Sequence, residues 1–321
     1  VVDVQGIDNL FTDPQICTVD GQGFGRGNTG LRGMALFFNK FRYEYNPVVK
    51  YMKLRKFALC DGEQAPPSKL EILKYEKGLN YLNSQEWQDR SRIVTGLKTS
   101  LEGRDRPISV GLLNVLEPPE SNESIPRKPL AEALVHRELA MLHQHNDPEV
   151  KKGRQCSSEA ASNFHFWMAA LGGCAKSMLN CAKACKGVNP KHEAKWYVLA
   201  SSLGSREGTI NAAEHFAAKN LTRFALIFFK KALTQNDRWT DDTRIIFGQA
   251  CSYDLHIRIA EILMQRDKTL NHEEALHHLM LAREAAKAAG VENIVKDIDD
   301  RIESLQAFRA YIDMNNLLEA V

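Results

Sequence analysis

The pattern of apolar and polar positions along the 321 residues changes character twice. At the start, Val1, Val2 and Val4 flank Asp3, a β-branched cluster that predicts a buried strand. Gly6 is then expected to release the backbone into a loop, with Asp13-Pro14 beginning a turn. Leu31, Met34, Ala35 and Phe38 recur at i, i+3, i+4 and i+7 and predict a helix over 31–41. From 65 to 129 prolines break the pattern (Pro66-Pro67, Pro107, Pro118-Pro119, Pro126, Pro129), leaving loop composition and one amphipathic helix at 69–82. Beyond 130 the chain reads as helix almost throughout. Ala131, Val135, Leu139 and Leu142 form one stripe that breaks at Asn146-Asp147-Pro148, and Ser157 and Ser158 cap a run that stops at Gly172-Gly173. Further helices are expected at 176–185, 193–203, 209–219, 221–233, 254–265, 272–289 and 293–314. Paired small residues, Ala225 with Ala232 and Ala275 with Ala282, suggest helix hairpins stacked as a solenoid, although the period is irregular. Three regions follow: 1–64, 65–129 and 130–321.

Composition narrows the setting. An apolar fraction of 44% with 26% charged residues is that of a folded chain, and a net charge of +2 gives no global attraction to nucleic acid or to an anionic membrane. No signal peptide and no apolar run of bilayer length is present, so no membrane partner is expected. Seven irregularly spaced cysteines read as reduced thiols in the cytoplasm.

Three stretches carry candidate chemistry. Asp3 and Gln5, two apart on a strand, share a face and offer hard oxygens for Mg²⁺, while Asp13 is placed to orient or deprotonate an attacking hydroxyl. The alternative is that these acids only cap a turn. Between Asp20 and Gly30, five glycines in ten residues require positive φ or close backbone approach. Gly25, Gly27 and Gly30 match GxGxxG, but a dinucleotide loop follows its strand directly and here a long loop intervenes. Lys40, Arg42, Lys50, Lys53, Arg55 and Lys56 interleave with Phe41, Tyr43, Tyr45, Tyr51 and Phe57, a pattern open to base stacking on single strands. A solvated basic face whose aromatics fill interior space is the reading adopted, so no nucleic acid is expected. Cys174, Cys181, Cys185 and His192 could ligate metal, but without a CxxC pair core packing is favoured; His272, His277 and His278 are read as surface or satisfied groups.

The ordered string from Asp3 to Phe38, DVQGIDNLFTDPQICTVDGQGFGRGNTGLRGMALFF, resembles the α-kinases, most closely the members that act on elongation factor 2. The resemblance implies that Asp3 and Gln5 bind Mg²⁺ and ATP, and that Asp13 is the catalytic aspartate. It also implies that the loop of Gly25, Gly27, Asn28 and Gly30 shapes the peptide-substrate side of the cleft, with Thr29 where Leu is usual. Met52-Lys53-Leu54, Phe57, Leu59 and Glu63-Gln64 resemble the end of such a domain. The family places a zinc-binding HxCxxxC element after the helix; no Cys or His occurs from Asn39 through Leu59, and zinc is expected to be absent. Where the family holds a phosphorylated regulatory loop, 65–129 is short and poor in serine. SSEAASNFHFWMAALGGCAKSMLNCAKAC resembles Sel-type, tetratricopeptide-like repeats, which in the family recruit the substrate. The expected fold is therefore an α+β fragment of an α-kinase catalytic C-lobe (1–64), a linker or regulatory segment (65–129) and an all-α helical-repeat domain (130–321). The expected function is that of a serine/threonine protein kinase acting on elongation factor 2, docked by the repeats. The N-lobe and the calmodulin site are expected to lie outside this chain, leaving it inactive alone. The rival is a non-catalytic helical-repeat interaction protein with a degenerate kinase remnant.

Overall fold

A computed structural model describes residues 3–7, 10–46, 49, 55–82, 117–119, 125–235, 252–266 and 271–319. Strands β1 (Asp3–Ile7) and β2 (Leu10–Gln15) pair antiparallel, with Ile7 opposite Leu10, Gly6 opposite Phe11, Gln5 opposite Thr12 and Asp3 opposite Gln15. Two local expectations are corrected: Gly6 lies inside β1, and Asp13-Pro14 lies inside β2. The turn chemistry of Asp-Pro instead appears as an irregularity in the ladder. The register shifts between Asp3 and Gln5, because two steps on β1 face three on β2. The extra residue falls in the stretch holding Pro14, which has no N–H to give to a ladder.

Most of the described chain is helical, consistent with a helical-repeat region. Packing separates two compact units, Val1–Ala184 and Cys185–Val321, a division unlike the 64/65 and 129/130 boundaries suggested by composition. In the first unit, α1 (Gly30–Lys40) is followed by a 3-10 turn (Tyr43–Tyr45) and by α2 (Lys69–Leu82), which has the bounds its periodicity predicts. Then come α3 (Ala131–Gln144), short α4 (Pro148–Lys151), α5 (Ser158–Leu171) and α6 (Ala175–Cys185). The Asn146-Asp147-Pro148 breaker also starts a helix. Asn146 turns the chain at φ 52°, Asp147 accepts from Glu149 N, and Pro148 occupies the first turn, where a missing N–H costs nothing. Ser157 caps α5 as expected, accepting from Ala160 N at 3.0 Å.

The α3 helix packs on α5 and, through its apolar stripe, on α1. Val135, Leu139 and Leu142 bury against Ala35 of α1 and Val150 of α4, with Leu31, Met34, Phe38, Phe57 and Leu59 around them. The helices at 131–171 therefore complete the unit that begins at the hairpin. Ion pairs border this packing, Arg32 with Asp147 at 2.9 Å and Lys40 with Glu149.

In the second unit, α7 (Pro190–Ser202), α8 (Arg206–Ala218), α9 (Thr222–Thr234), α10 (Ser252–Arg266), α11 (His272–Ala288) and α12 (Glu292–Glu319) each pack on the next in sequence. The paired alanines sit where close approach requires them: Ala225, Ala232, Ala275 and Ala282 are fully buried. Phe229, Leu255, Ile259 and Leu279 fill the same core.

Candidate functional site

The glycine stretch is a loop organised by one side chain, Asn28. Its Oδ1 accepts from Thr18 N at 2.9 Å and Gly30 N at 3.2 Å. Its Nδ2 donates to Thr18 Oγ1 at 2.8 Å, Gln22 O at 2.9 Å and Gly23 O at 3.1 Å. A loop this tight bends through left-handed backbone at Gly21, Gly23, Gly25 and Gly30, where glycine adds no steric penalty. Phe24 shares that conformation at φ 57°, an uncommon state for a bulky residue, and its ring is 66% exposed. Gln15, at the end of β2, donates from Nε2 to Gly27 O at 2.8 Å, so the strand carrying Asp13 is tied to the loop. Behind it Cys17 is buried, and Gly33 of α1 must be small. A Cβ there would lie 2.5 Å from Cys17 Sγ and closer still to Thr29 Oγ1.

Gly25, Gly27, Asn28 and Gly30 thus belong to one hydrogen-bonded loop, with Asn28 rather than the glycines at its centre. The side chains of Asp3, Gln5 and Asp13 lie outside the described residues; their backbones place all three on the hairpin, with Gln15 leading into the loop. Of the aromatics that follow α1, Phe57 packs against the core, stacked on Phe38 and His136, and with Phe37, Phe38 and Phe41 it also walls a cavity of about 460 Å³ edged by Arg42 and Lys56. The cations described there are ion-paired, Arg42 with Glu71, Arg55 with Glu132 and Lys56 with Glu44. Cys174, Cys181 and Cys185 are buried in the helical core, and His278 is partnered by His256, Nδ1 to Nδ1 at 2.8 Å.

Sequence reasoning missed a second constellation, at the other end of α1. Glu63 is buried where three stretches of chain meet. Its Oε1 accepts from Asn39 Nδ2 and His143 Nε2, and its Oε2 from the Cys60 amide and His165 Nε2, all at 2.8 Å. Burial would raise this carboxyl, but His165 and His143 hold it well below the ordinary carboxylate range. Glu63, His143 and His165 are the one set of three metal-type ligands that converge among the described residues. They do not fit a metal. Arg154 Nη1 lies 3.0 Å from His143 Nδ1, and a guanidinium can only donate. His143 Nδ1 must therefore accept, which puts the ring proton on Nε2, aimed at Glu63, where a metal would need a lone pair. Both Glu63 oxygens already hold two donors each. His165 Nδ1 faces His136 Nδ1 at 2.8 Å, while Phe57 stacks on His136 at 4.2 Å. The only sequence signal for this site was the Glu63-Gln64 pair at the end of the matched stretch.

Residues 1–47 match the model of the alpha-kinase family. The chain is similar to eukaryotic elongation factor 2 kinase of Caenorhabditis elegans, with 45% identity over 78 residues, covering 24% of this chain and 10% of that protein. Its similarity to the Mus musculus enzyme is 50% over 64 residues, covering 20% and 9%. To the Homo sapiens enzyme it is 34% over 144 residues, covering 44% and 19%, so each match spans less than a fifth of the relative's length. No solved structure matches the chain significantly. The alpha-kinase likeness supports a protein kinase, and it resides in the hairpin, the glycine loop and α1.

Proposed function

We propose that the hairpin and glycine loop form one wall of a serine/threonine protein kinase cleft that transfers the γ-phosphoryl group of Mg·ATP to elongation factor 2. The observation that carries this reading is the tie from Gln15 to Gly27, which couples the strand bearing Asp13 to a loop locked by Asn28. Phosphoryl transfer depends on fixed positioning and charge neutralisation rather than on covalent chemistry by the protein. In this reading Asp3 and Gln5 hold Mg²⁺ on the nucleotide, and Asp13 receives or orients the proton of the attacking hydroxyl. Mg²⁺, when bound, neutralises the phosphate charge. The Asn28-centred loop keeps the substrate side rigid, and exposed Phe24 supplies an apolar contact for the peptide beside the acceptor residue. The helices of 185–321 are assigned the docking of the protein substrate. Among the described residues no helix is long and apolar enough to cross a membrane, and the six cysteines form no disulfide.

The test is transfer of labelled phosphate from Mg·ATP to elongation factor 2, run beside capture of the factor by the same preparation. Transfer abolished by Asp13→Ala and reduced at least about a hundredfold by Asn28→Ala supports the reading, since loop misplacement costs factors of that size. Capture without transfer by the wild type favours the interaction-module reading, and transfer that survives Asp13→Ala overturns the assignment of that residue.

A further inference from the structure

The Glu63 constellation joins parts of the chain that sequence separates widely. His143 lies 80 positions from Glu63 and His165 lies 102 positions away. Asn39 belongs to the end of α1, and the start of α1 is Gly30, the last residue of the glycine loop. A rigid helix of 11 residues thus has the Asn28 network at one end and the Glu63 network at the other. The backbone around Glu63 is held as well. Gly62 O accepts from Gln155 N at 2.7 Å and Cys156 N at 3.1 Å, and Gln64 Nε2 donates to Asn39 O at 2.6 Å and Phe41 O at 3.1 Å.

We infer that this hub is a metal-free positioning element: Glu63, clamped by His143 and His165, fixes α1 and through it the glycine loop, where the family resemblance calls for a zinc cluster behind the same helix. The physical case is one of protonation and charge. Arg154 makes His143 an acceptor on the outside and a donor on the inside, so the carboxylate and the guanidinium balance each other across a neutral ring. Arg154 is itself held by Ser158 at the start of α5. Placing a divalent ion among these groups would require expelling the His143 proton toward a guanidinium that cannot receive it. It would also add positive charge to a buried site that is already neutral. The order of the parts matters too. This hub recruits α3 and α5 and makes residues 131–171 part of the unit that carries the loop. The hub stands independently of the kinase reading; that it serves catalysis rests on that reading.

Two measurements on the full chain separate these claims. Long-range ¹⁵N–¹H spectra of the histidines are expected to show the His143 ring proton on Nε2, with Nδ1 as the acceptor. Addition of Co²⁺ or Zn²⁺ should leave those signals, and the visible absorption, unchanged. A retained equivalent of metal, Co²⁺ absorption bands, or an Nδ1–H tautomer at His143 would overturn the metal-free hub. For positioning, Glu63→Gln replaces two of the acceptor sites by donors. Amide exchange at Thr18, Gly21, Asn28 and Gly30 should then accelerate at least about tenfold, the worth of one hydrogen bond to a charged group, with amides of α10 and α11 unmoved. Unchanged loop protection in a variant that still shows native α10 and α11 exchange would overturn the positioning role, whether or not the protein transfers phosphate.

Discussion

The two compact units hold their helices together by different means. In Val1–Ala184 the contacts that join distant stretches beside the apolar core are polar and buried, centred on Glu63. In Cys185–Val321 they are apolar and sequential, alanine seams between neighbours with Phe229, Leu255 and Leu279 between them. A buried network is costly unless every member is satisfied, but it accepts only one arrangement of its parts. Apolar seams tolerate small shifts and need only adjacent partners. The unit that bears the candidate site carries the arrangement that admits no alternative register, and the unit proposed to dock a partner carries the more forgiving one.

The largest test of that contrast is where the chain can be cut. Residues 185–321 alone are expected to melt cooperatively as helix, whereas in 130–321 the stretch 131–171 should lose its protection from exchange and proteolysis. It would lack Ala35 as a packing partner and Glu63 as an acceptor. Protection of 131–171 in 130–321 would break the comparison. Next in size, Glu63→Leu leaves two buried imidazole donors without an acceptor and should destabilise the first unit by about 3–5 kcal/mol in denaturant unfolding. Phe229→Ala should cost about 3–5 kcal/mol in the second unit alone. Loss from both units on either change would mean that the two do not unfold separately.

Acid sharpens the contrast further. Burial and then His165 hold His136 well below the ordinary histidine range, so the unfolded chain binds its proton first and stability falls as pH drops below about 6.5. Burial and His256 pull His278 down to about 4, giving the second unit a similar loss between about pH 6.5 and 4. Glu63 adds a limb of its own. Its folded carboxyl is depressed, so its contribution is present above the unfolded value of about 4.3 and fades as pH falls further. Glu63→Gln should flatten that limb in the first unit's unfolding profile and leave the second unit's profile alone. Gly33→Ala, which drives a Cβ toward Cys17 and Thr29, should cost about 1–3 kcal/mol and loosen the loop end of α1. Smallest, Ser157→Ala removes the α5 cap and should cost about 1 kcal/mol, read from the first unit's midpoint.

Legibility followed the distance over which each feature is specified. The α2 helix at 69–82, the Ser157 cap and the buried alanine pairs all depend on neighbours within a few turns, and apolar spacing reveals them directly. Asp13-Pro14 lies in a strand and not a loop because Asp-Pro signals a turn or a ladder defect with the same two residues, and only strand pairing decides between them. That the aromatics after α1 include core residues follows from their type, but which rings meet does not: Phe57 stacks on Phe38 at 4.5 Å and on His136 at 4.2 Å, a partner 79 positions away.

By itself, the sequence determined most of the helices, the Ser157 cap, the glycine-rich loop and the alpha-kinase likeness of residues 1–47. Each of these is written in local order, as periodicity, turn chemistry or a contiguous motif. Tertiary structure alone decided that the helices at 131–171 belong with the glycine loop, and that Glu63, His136, His143 and His165 form one network. No period or spacing encodes contacts 80 and 102 residues apart. They exist because burying a carboxylate demands donors, and the folded chain brings those donors from wherever packing places them.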